Sequence, residues 1–270
     1  MADPPGSVTP SGAGPTSMAR RTFLTGAAGL LTAAAIPGAW AAPARTSEDP
    51  FTLGVASGDP TPTGVVIWTR LAPRPLEPDG GMAGRAVPVR WEVATGPRLR
   101  NVVRRGVALA HPRFAHSVHV EVDGLEPGRT YWYRFRAGGQ LSRVGRTRTT
   151  ADPTRPLSRV TLAFASCQHW ERGYYPAWRH LAEEDLDVVL HLGDYIYEGA
   201  GHGGGLRRHA GPEPTTLAGY RVRHALYKTD PDLQAAHGRH PFVVVWDDHE
   251  VENDHAGRHP ADGGDPAVFA

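Results

Sequence analysis

Residues 187–197 read Asp-Val-Val-Leu-His-Leu-Gly-Asp-Tyr-Ile-Tyr, a short apolar run that stops on Gly193 and delivers Asp194 and Tyr197. Two other runs end in the same way. Residues 160–167 read Val-Thr-Leu-Ala-Phe-Ala-Ser-Cys and continue into Gln168-His169, and residues 241–250 read Pro-Phe-Val-Val-Val-Trp-Asp-Asp-His-Glu. Continuous apolar runs of this length predict strands buried on both faces. In such sheets ligands gather beyond the carboxyl ends of the strands. Three strands that carry Cys167, Asp194 and Asp248-His249 to one edge therefore predict a metal site.

Between the first two runs, Tyr174, Ala177, Trp178 and Leu181 recur at helical spacing and stop at Glu183-Glu184-Asp185. Strand, helix and strand in that order predict a parallel pair joined by a right-handed crossover. Residues 199–214 form a glycine-rich loop that carries His202, Arg207, Arg208 and His209. Thr215 or Thr216 is placed to cap a helix bearing Leu217, Tyr220 and Tyr227. Asp230-Pro231 then opens a shorter helix to about residue 237, with aspartate at the cap and proline in the first turn.

From residue 51 to about residue 150 the pattern is short strands separated by turns, at 65–68, 87–93 and 116–122. The Pro127-Gly128 turn feeds a strand in which Tyr131, Tyr133 and Phe135 share one face and Trp132, Arg134 and Arg136 take the other. A tyrosine just after such a turn is typical of the corner that locks immunoglobulin- or fibronectin-like sandwiches. The alternation favours core packing of these aromatics over a carbohydrate platform. Residues 45–152 are accordingly read as a β-sandwich with an accessory role. Asp152-Pro-Thr-Arg-Pro156 is the linker, residues 153–270 are the catalytic region, and the fold class is α+β.

At 270 residues and 29.1 kDa the chain accommodates one large domain or two modest ones. Twenty-nine basic residues against 28 acidic ones leave a net charge of +1, which gives no support for nucleic-acid-specific binding. Cys167 is the sole cysteine, so no intrachain disulfide is available. Residues 1–17 have the Pro/Gly/Ser/Thr composition of a disordered leader, and Met18 would serve equally as a start. Arg20-Arg21-Thr-Phe-Leu24 precedes an apolar run over 26–36 and the small-residue site Ala39-Trp-Ala41. The paired arginines resemble a twin-arginine signal, which hands folded proteins to the twin-arginine translocase. The run is about half of the ~20 residues a membrane span needs, so cleavage is expected and no stable span remains. Residues 1–44 are read as this leader, and the mature protein as a monomer that is secreted, periplasmic or on the cell surface.

Each candidate residue has a plainer account beside the chemical one. Asp194 follows a glycine at a strand end, which suits either a ligand or a capping carboxylate beside a core tyrosine. Tyr197 lies three residues on, and a phenolate ligand calls for a strongly Lewis-acidic ion such as ferric iron, because free phenol titrates near pH 10. Cys167 is either an inert buried thiol or a thiolate suited to iron. Residues 247–254, Asp-Asp-His-Glu-Val-Glu-Asn-Asp, crowd carboxylates that repel one another without a cation, unless the segment is a solvated acidic loop. Oxygen ligands of this kind favour Ca²⁺, Mg²⁺ or Mn²⁺. His249 suits metal binding, a phosphate contact or protonation of a leaving group. Arg207, Arg208 and His209 fit a charged surface loop better than a substrate-anion site.

Taken together, these motifs resemble the PhoD-type alkaline phosphatases and phosphodiesterases of the metallophosphoesterase superfamily, over nearly everything from the leader onward. The resemblance is carried by Phe51-Thr-Leu-Gly-Val-Ala-Ser-Gly-Asp59-Pro, Ile67-Trp-Thr-Arg70, Phe164-Ala-Ser-Cys167-Gln, His191-Leu-Gly-Asp194-Tyr-Ile-Tyr197-Glu and Val245-Trp-Asp-Asp-His249-Glu-Val-Glu-Asn253. Gly193-Asp194-x-x-Tyr197 is also similar to the iron-binding element of purple acid phosphatases. Asp248-His249-Glu250 sits where the wider superfamily has Asn-His-Glu.

The resemblance implies an exported phosphoester hydrolase acting on small phosphomonoesters or phosphodiesters through metal-activated hydroxide at an Fe³⁺–Ca²⁺ centre. It implies that Cys167 and Tyr197 bind Fe³⁺, that Asp194 bridges to the Ca²⁺ site, that Asp248 ligates that second site, and that His249 is catalytic at the phosphate or leaving group. His169 stands where other members have asparagine or another polar residue. A phospholipase-D-like diesterase is not separable from a monoesterase at this level. A different class of reading is a non-catalytic secreted binding protein with a degenerate phosphatase remnant. The implied fold is the sandwich followed by the first half of an αββα sandwich. The superfamily's later Gly-Asp-x-His or Gly-His-x-His ligands are missing before Ala270, so the chain is read as the front portion of a longer enzyme. The expected outcome for the isolated 270-residue chain is low stability and negligible turnover of para-nitrophenyl phosphate; robust hydrolysis with stoichiometric metal would contradict it.

Overall fold

The structure is a computed structural model that describes residues 48–201, 203–261 and 263, so the leader read over 1–44 lies outside the described residues. Alternating apolar and polar residues build β1 (Val55–Gly58), β2 (Gly64–Arg70), β3 (Val87–Ala94), β4 (Val102–Ala110), β5 (Ser117–Asp123), β6 (Thr130–Ala137), β7 (Gln140–Leu141) and β8 (Gly145–Arg148). The three apolar runs become β9 (Leu162–Ala165), β10 (Val188–His191) and β11 (Pro241–Val244). Helix α1 (Pro176–Glu183) lies between β9 and β10, and α2 (Leu217–Lys228) and α3 (Pro231–Arg239) precede β11. The helix starts follow from capping chemistry. Thr216 accepts from the Gly219 N–H, and the Asp230 carboxylate accepts from the N–H groups of Asp232 and Leu233.

Two sheets result, in an α+β arrangement. One has the order β4-β3-β6-β7, with β8 also on β6. The other has the order β5-β2-β1-β11-β10-β9, antiparallel through β1 and parallel from β1 to β9. Its antiparallel part shares a core with the first sheet, built from Val55, Ile67, Val89, Val93, Val118, Val120, Tyr131, Tyr133 and Phe135. Tyr131, Tyr133 and Phe135 point inward while Arg136 is exposed, as the alternation predicts. The Tyr131 hydroxyl accepts from the Glu126 N–H at 2.8 Å and so fixes the corner before β6.

The six-stranded sheet runs across the residue-152 boundary drawn from composition. Strand β1 pairs in parallel with β11, 184 positions on, in the register Ser57 with Pro241. A side chain at Gly58 would place its Cβ 2.6 Å from the Phe242 carbonyl oxygen, so glycine is what permits this approach. No local periodicity reports such a pairing.

The parallel strands differ from expectation in one respect. Among the described residues they are covered on one face only, where Val189 and Phe242 join Trp178, Tyr195, Ile196, Leu226, Tyr227 and Leu233 in a second core beneath the helices. On the other face Phe164 is 69% exposed, with Leu162 and Val243 also exposed. A bare apolar face of this sort lowers stability relative to a covered one by roughly 25 cal/mol for each Å² left in water. No helix among the described residues is long and apolar enough to cross a membrane.

The second core encloses imidazoles that burial keeps neutral. His191 and His240 are fully buried and lowered to about 4, and His237, hydrogen-bonded to the Tyr195 hydroxyl, lies well below its ordinary value. Unfolding exposes these rings to water, where they titrate near 6.5. Below that pH the unfolded chain takes up protons that the folded chain refuses, so stability present above about pH 6.5 is lost as pH falls toward about 4. Thermal midpoints recorded over that window should fall steeply, and His191→Phe should flatten the fall; a wild-type midpoint independent of pH would contradict this account.

Candidate metal centre

The ends of β9, β10 and β11 turn over together. Cys167 and Asp194 both take left-handed backbone conformations, φ 59° and 52°, which non-glycine residues adopt where surrounding structure holds them. The Cys167 N–H donates to the Gly193 carbonyl at 3.3 Å, and the Gln168 N–H to the Asp194 carbonyl at 3.2 Å. The first two loops therefore run side by side.

The third loop is tied to the second by one carboxylate. Glu250 accepts from the backbone N–H groups of Asp194 (3.2 Å), Tyr195 and Asp247 (2.8 Å). Charge-assisted bonds to backbone donors are stronger than neutral ones. Gly193, at φ 104°, lets the two strand ends touch, since a Cβ there would lie 2.4 Å from the Cβ of Asp247.

Asp194, Asp248 and His249 each bring a ligand atom within 4.8 Å of the others. The Tyr197 hydroxyl donates to Asp194 Oδ2 at 2.8 Å. Asp194 Oδ1 is buried without a hydrogen-bond partner among the described residues. A buried carboxylate oxygen left unpaired is costly unless a cation or water meets it. The donor set therefore fits a cation. Burial, and then the Asp194 carboxylate, push the Tyr197 phenol far above its ordinary value, so in these surroundings it is a neutral donor. A strongly Lewis-acidic ion would reverse that preference. Cys167 is exposed beside this pair.

Asp248 is held below the usual carboxylate range, first by the Asp254 N–H, which donates to its Oδ2 at 2.5 Å. For His249 burial alone would lower the pKa, but the Glu198 carboxylate and then Asp194 and Asp248 raise it overall. His249 Nδ1 lies 2.8 Å from Glu198 Oε2, and Glu198 Oε1 accepts from the Asn253 N–H at 2.8 Å. The rings of His169 and His249 lie 4.4 and 4.1 Å from that of Tyr197, so His169 borders the cluster.

The glycine-rich loop is built otherwise than its charge suggests. Arg207 stacks on Trp170 at 3.6 Å and pairs with Asp230 at 2.6 Å, its side chain 8% exposed. His209 is buried between the Gly199 carbonyl and the Tyr227 hydroxyl, each at 3.0 Å. Only Arg208 of this trio is exposed. Arg223 on α2 is buried and donates to the carbonyls of Tyr197, Glu198, Gly199 and Pro212, which holds the backbone behind Tyr197 in place. Sequence reasoning assigned no role to Glu198, Glu250 or Arg223; the first two were visible only as members of a motif.

Two family models match the chain: "PhoD-like phosphatase, N-terminal domain" over residues 37–151 and "PhoD-like phosphatase" over residues 162–268. Alkaline phosphatase D of Bacillus subtilis (strain 168) is 52% identical over 264 residues, covering 93% of this chain and 45% of that protein. A solved structure of PhoD superposes with a TM-score of 0.80 at 53% identity, covering 83% of this chain and 44% of the other. The chain thus spans a little under half the length of the relatives it matches.

Gly193→Ala should separate the β10 and β11 ends, at a cost of about 2–3 kcal/mol from the positive φ and the clash with Asp247. Urea unfolding checks this, and a loss below about 0.5 kcal/mol would mean that the strand ends do not need the contact.

Proposed function

The chain belongs to the PhoD-like phosphatase family, and from that premise we propose that it serves a metal-dependent phosphoester hydrolase, exported through the twin-arginine route. The observation that carries the metal reading is the buried, unpartnered Asp194 oxygen beside Asp248, His249 and Tyr197. Export and a secreted, periplasmic or cell-surface location rest on Arg20-Arg21-Thr-Phe-Leu24 and the short apolar run after it. Small phosphomonoesters or phosphodiesters are the substrates that such a site suits.

In this proposal Cys167 and Tyr197 would hold Fe³⁺, Asp194 would serve both ions, and Asp248 would serve Ca²⁺. When bound, such a pair supplies Lewis acidity toward phosphoryl oxygens and lowers the pKa of the attacking water. The chain's own contribution is positional. Asp194 is held by its backbone, through Glu250 and Gly193, so its carboxylate can face the ions with little reorganisation. As an iron ligand Tyr197 would no longer donate its hydrogen bond to Asp194. His249 stands at the rim, positioned to contact a phosphate oxygen or to protonate the leaving alkoxide.

For the isolated chain, weak turnover remains the expectation. Its physical support is that Trp246, 72% exposed, and the bare face of β9–β11 leave the strand ends open to water. Water screens the charges on which the chemistry depends.

Addition of Fe³⁺ to the purified chain should give a visible charge-transfer band. Tyr197→Phe and Cys167→Ser should each shift or weaken it, and Asp194→Asn should lower iron retention by about tenfold or more. A colourless protein that retains no iron after dialysis would overturn the iron assignment.

A further inference from the structure

Glu198 is a buried carboxylate that the metal-site reading leaves without a task. It follows Tyr197 directly, and its side chain reaches the loop after β11, where it meets His249 of the cluster from behind. There Oε2 lies 2.8 Å from His249 Nδ1 and Oε1 accepts from the Asn253 N–H at 2.8 Å. Its backbone carbonyl is fixed from behind by Arg223 at 2.8 Å. Both oxygens are therefore committed, and the residue is 6% exposed.

An ionised carboxylate only accepts hydrogen bonds. The short contact therefore requires that Nδ1 of His249 carry a hydrogen. A neutral imidazole has one N–H, so in that form Nε2 is left as the unprotonated nitrogen. A free histidine has no such constraint. The ring is further confined by the face of Tyr197, 4.1 Å away between centroids. A ring nitrogen of His249 lies within 4.8 Å of ligand atoms of Asp194 and Asp248, and with Nδ1 engaged by Glu198 it is Nε2 that is left to accept.

We propose that Glu198 is the positioning residue of this site: it sets the tautomer and the aim of His249, leaving Nε2 as the nitrogen open to the site, and through Asn253 it closes the loop on which His249 is carried. This deepens the phosphoester reading and rests on it for the identity of what Nε2 meets. The tautomer and the loop closure are properties of the chain alone.

The test is ¹⁵N NMR of histidine-labelled, metal-free chain, at a pH well above the ordinary imidazole range. His249 is assigned by its loss in His249→Gln. The wild-type ring is expected as the Nδ1–H tautomer. Glu198→Gln keeps a carbonyl oxygen for the Asn253 N–H but turns an amide donor toward Nδ1. The two ring resonances of His249 should then exchange character, while the Asn253 amide keeps its protection from solvent exchange. Glu198→Ala should lose both, giving a tautomer mixture and at least tenfold faster exchange at Asn253. A wild-type ring in the Nε2–H form, or ring shifts unaltered by Glu198→Gln, overturns the proposal. Where a variant fails to fold, an Nε2–H ring in the wild-type spectrum still overturns the proposal. A chain that shows the tautomer but binds no metal would instead remove the functional reading and leave the positioning of His249 intact.

Discussion

The arrangement of the site depends on one constraint, that three strand ends must lie against one another although each carries its own polar loop. The Glu250 carboxylate meets it by accepting from backbone donors of the loop after β10 and of its own loop. Gly193 meets it sterically, since any side chain there would strike Asp247. Because the tie is made to backbone, it does not occupy the side chains of Asp194 and Asp248, which are held instead by the Tyr197 hydroxyl and the Asp254 N–H. The cluster of carboxylates is thereby held close despite its mutual repulsion, which is the condition under which a cation binds favourably.

Behind this edge the charges are of the opposite sign and serve a different purpose. Arg207 and Arg223 are both withdrawn from solvent, one on Asp230 and aromatic rings, the other on backbone carbonyls. Each fastens the long glycine-rich loop to the helices. Burying a guanidinium costs several kcal/mol unless its donors are matched, and here carbonyl oxygens supply most of the matching. The loop that carries Tyr197 and Glu198 is thus rigid at its start while remaining rich in glycine further on. That combination suits a site that must present ligands in fixed positions.

Much of the local structure is legible from residue pattern. The three apolar runs, the helix over Trp178 and Leu181, and the caps at Thr216 and Asp230 all appear where periodicity and capping chemistry put them. Tyr131 at its corner is legible for the same reason. The β1–β11 pairing is not, because a strand whose partner lies 184 positions away has no local signature. The exposure of one face of β9 is also hidden, since Leu162 and Phe164 read as core residues whichever face they occupy. Arg207 and His209 mislead for a related reason, as a charged, glycine-rich stretch normally describes a solvated loop.

By itself the sequence determined which residues stand at strand ends and which of them have ligand chemistry, because strand period and side-chain type are local properties. It also carried enough motif to place the chain in its family. Only the tertiary structure decided that Asp194, Asp248 and His249 share one group, that Glu250 binds the backbone of the neighbouring loop, and that Glu198 faces His249. Those contacts join residues about 50 positions apart, and they exist only once parallel strands have been brought into register.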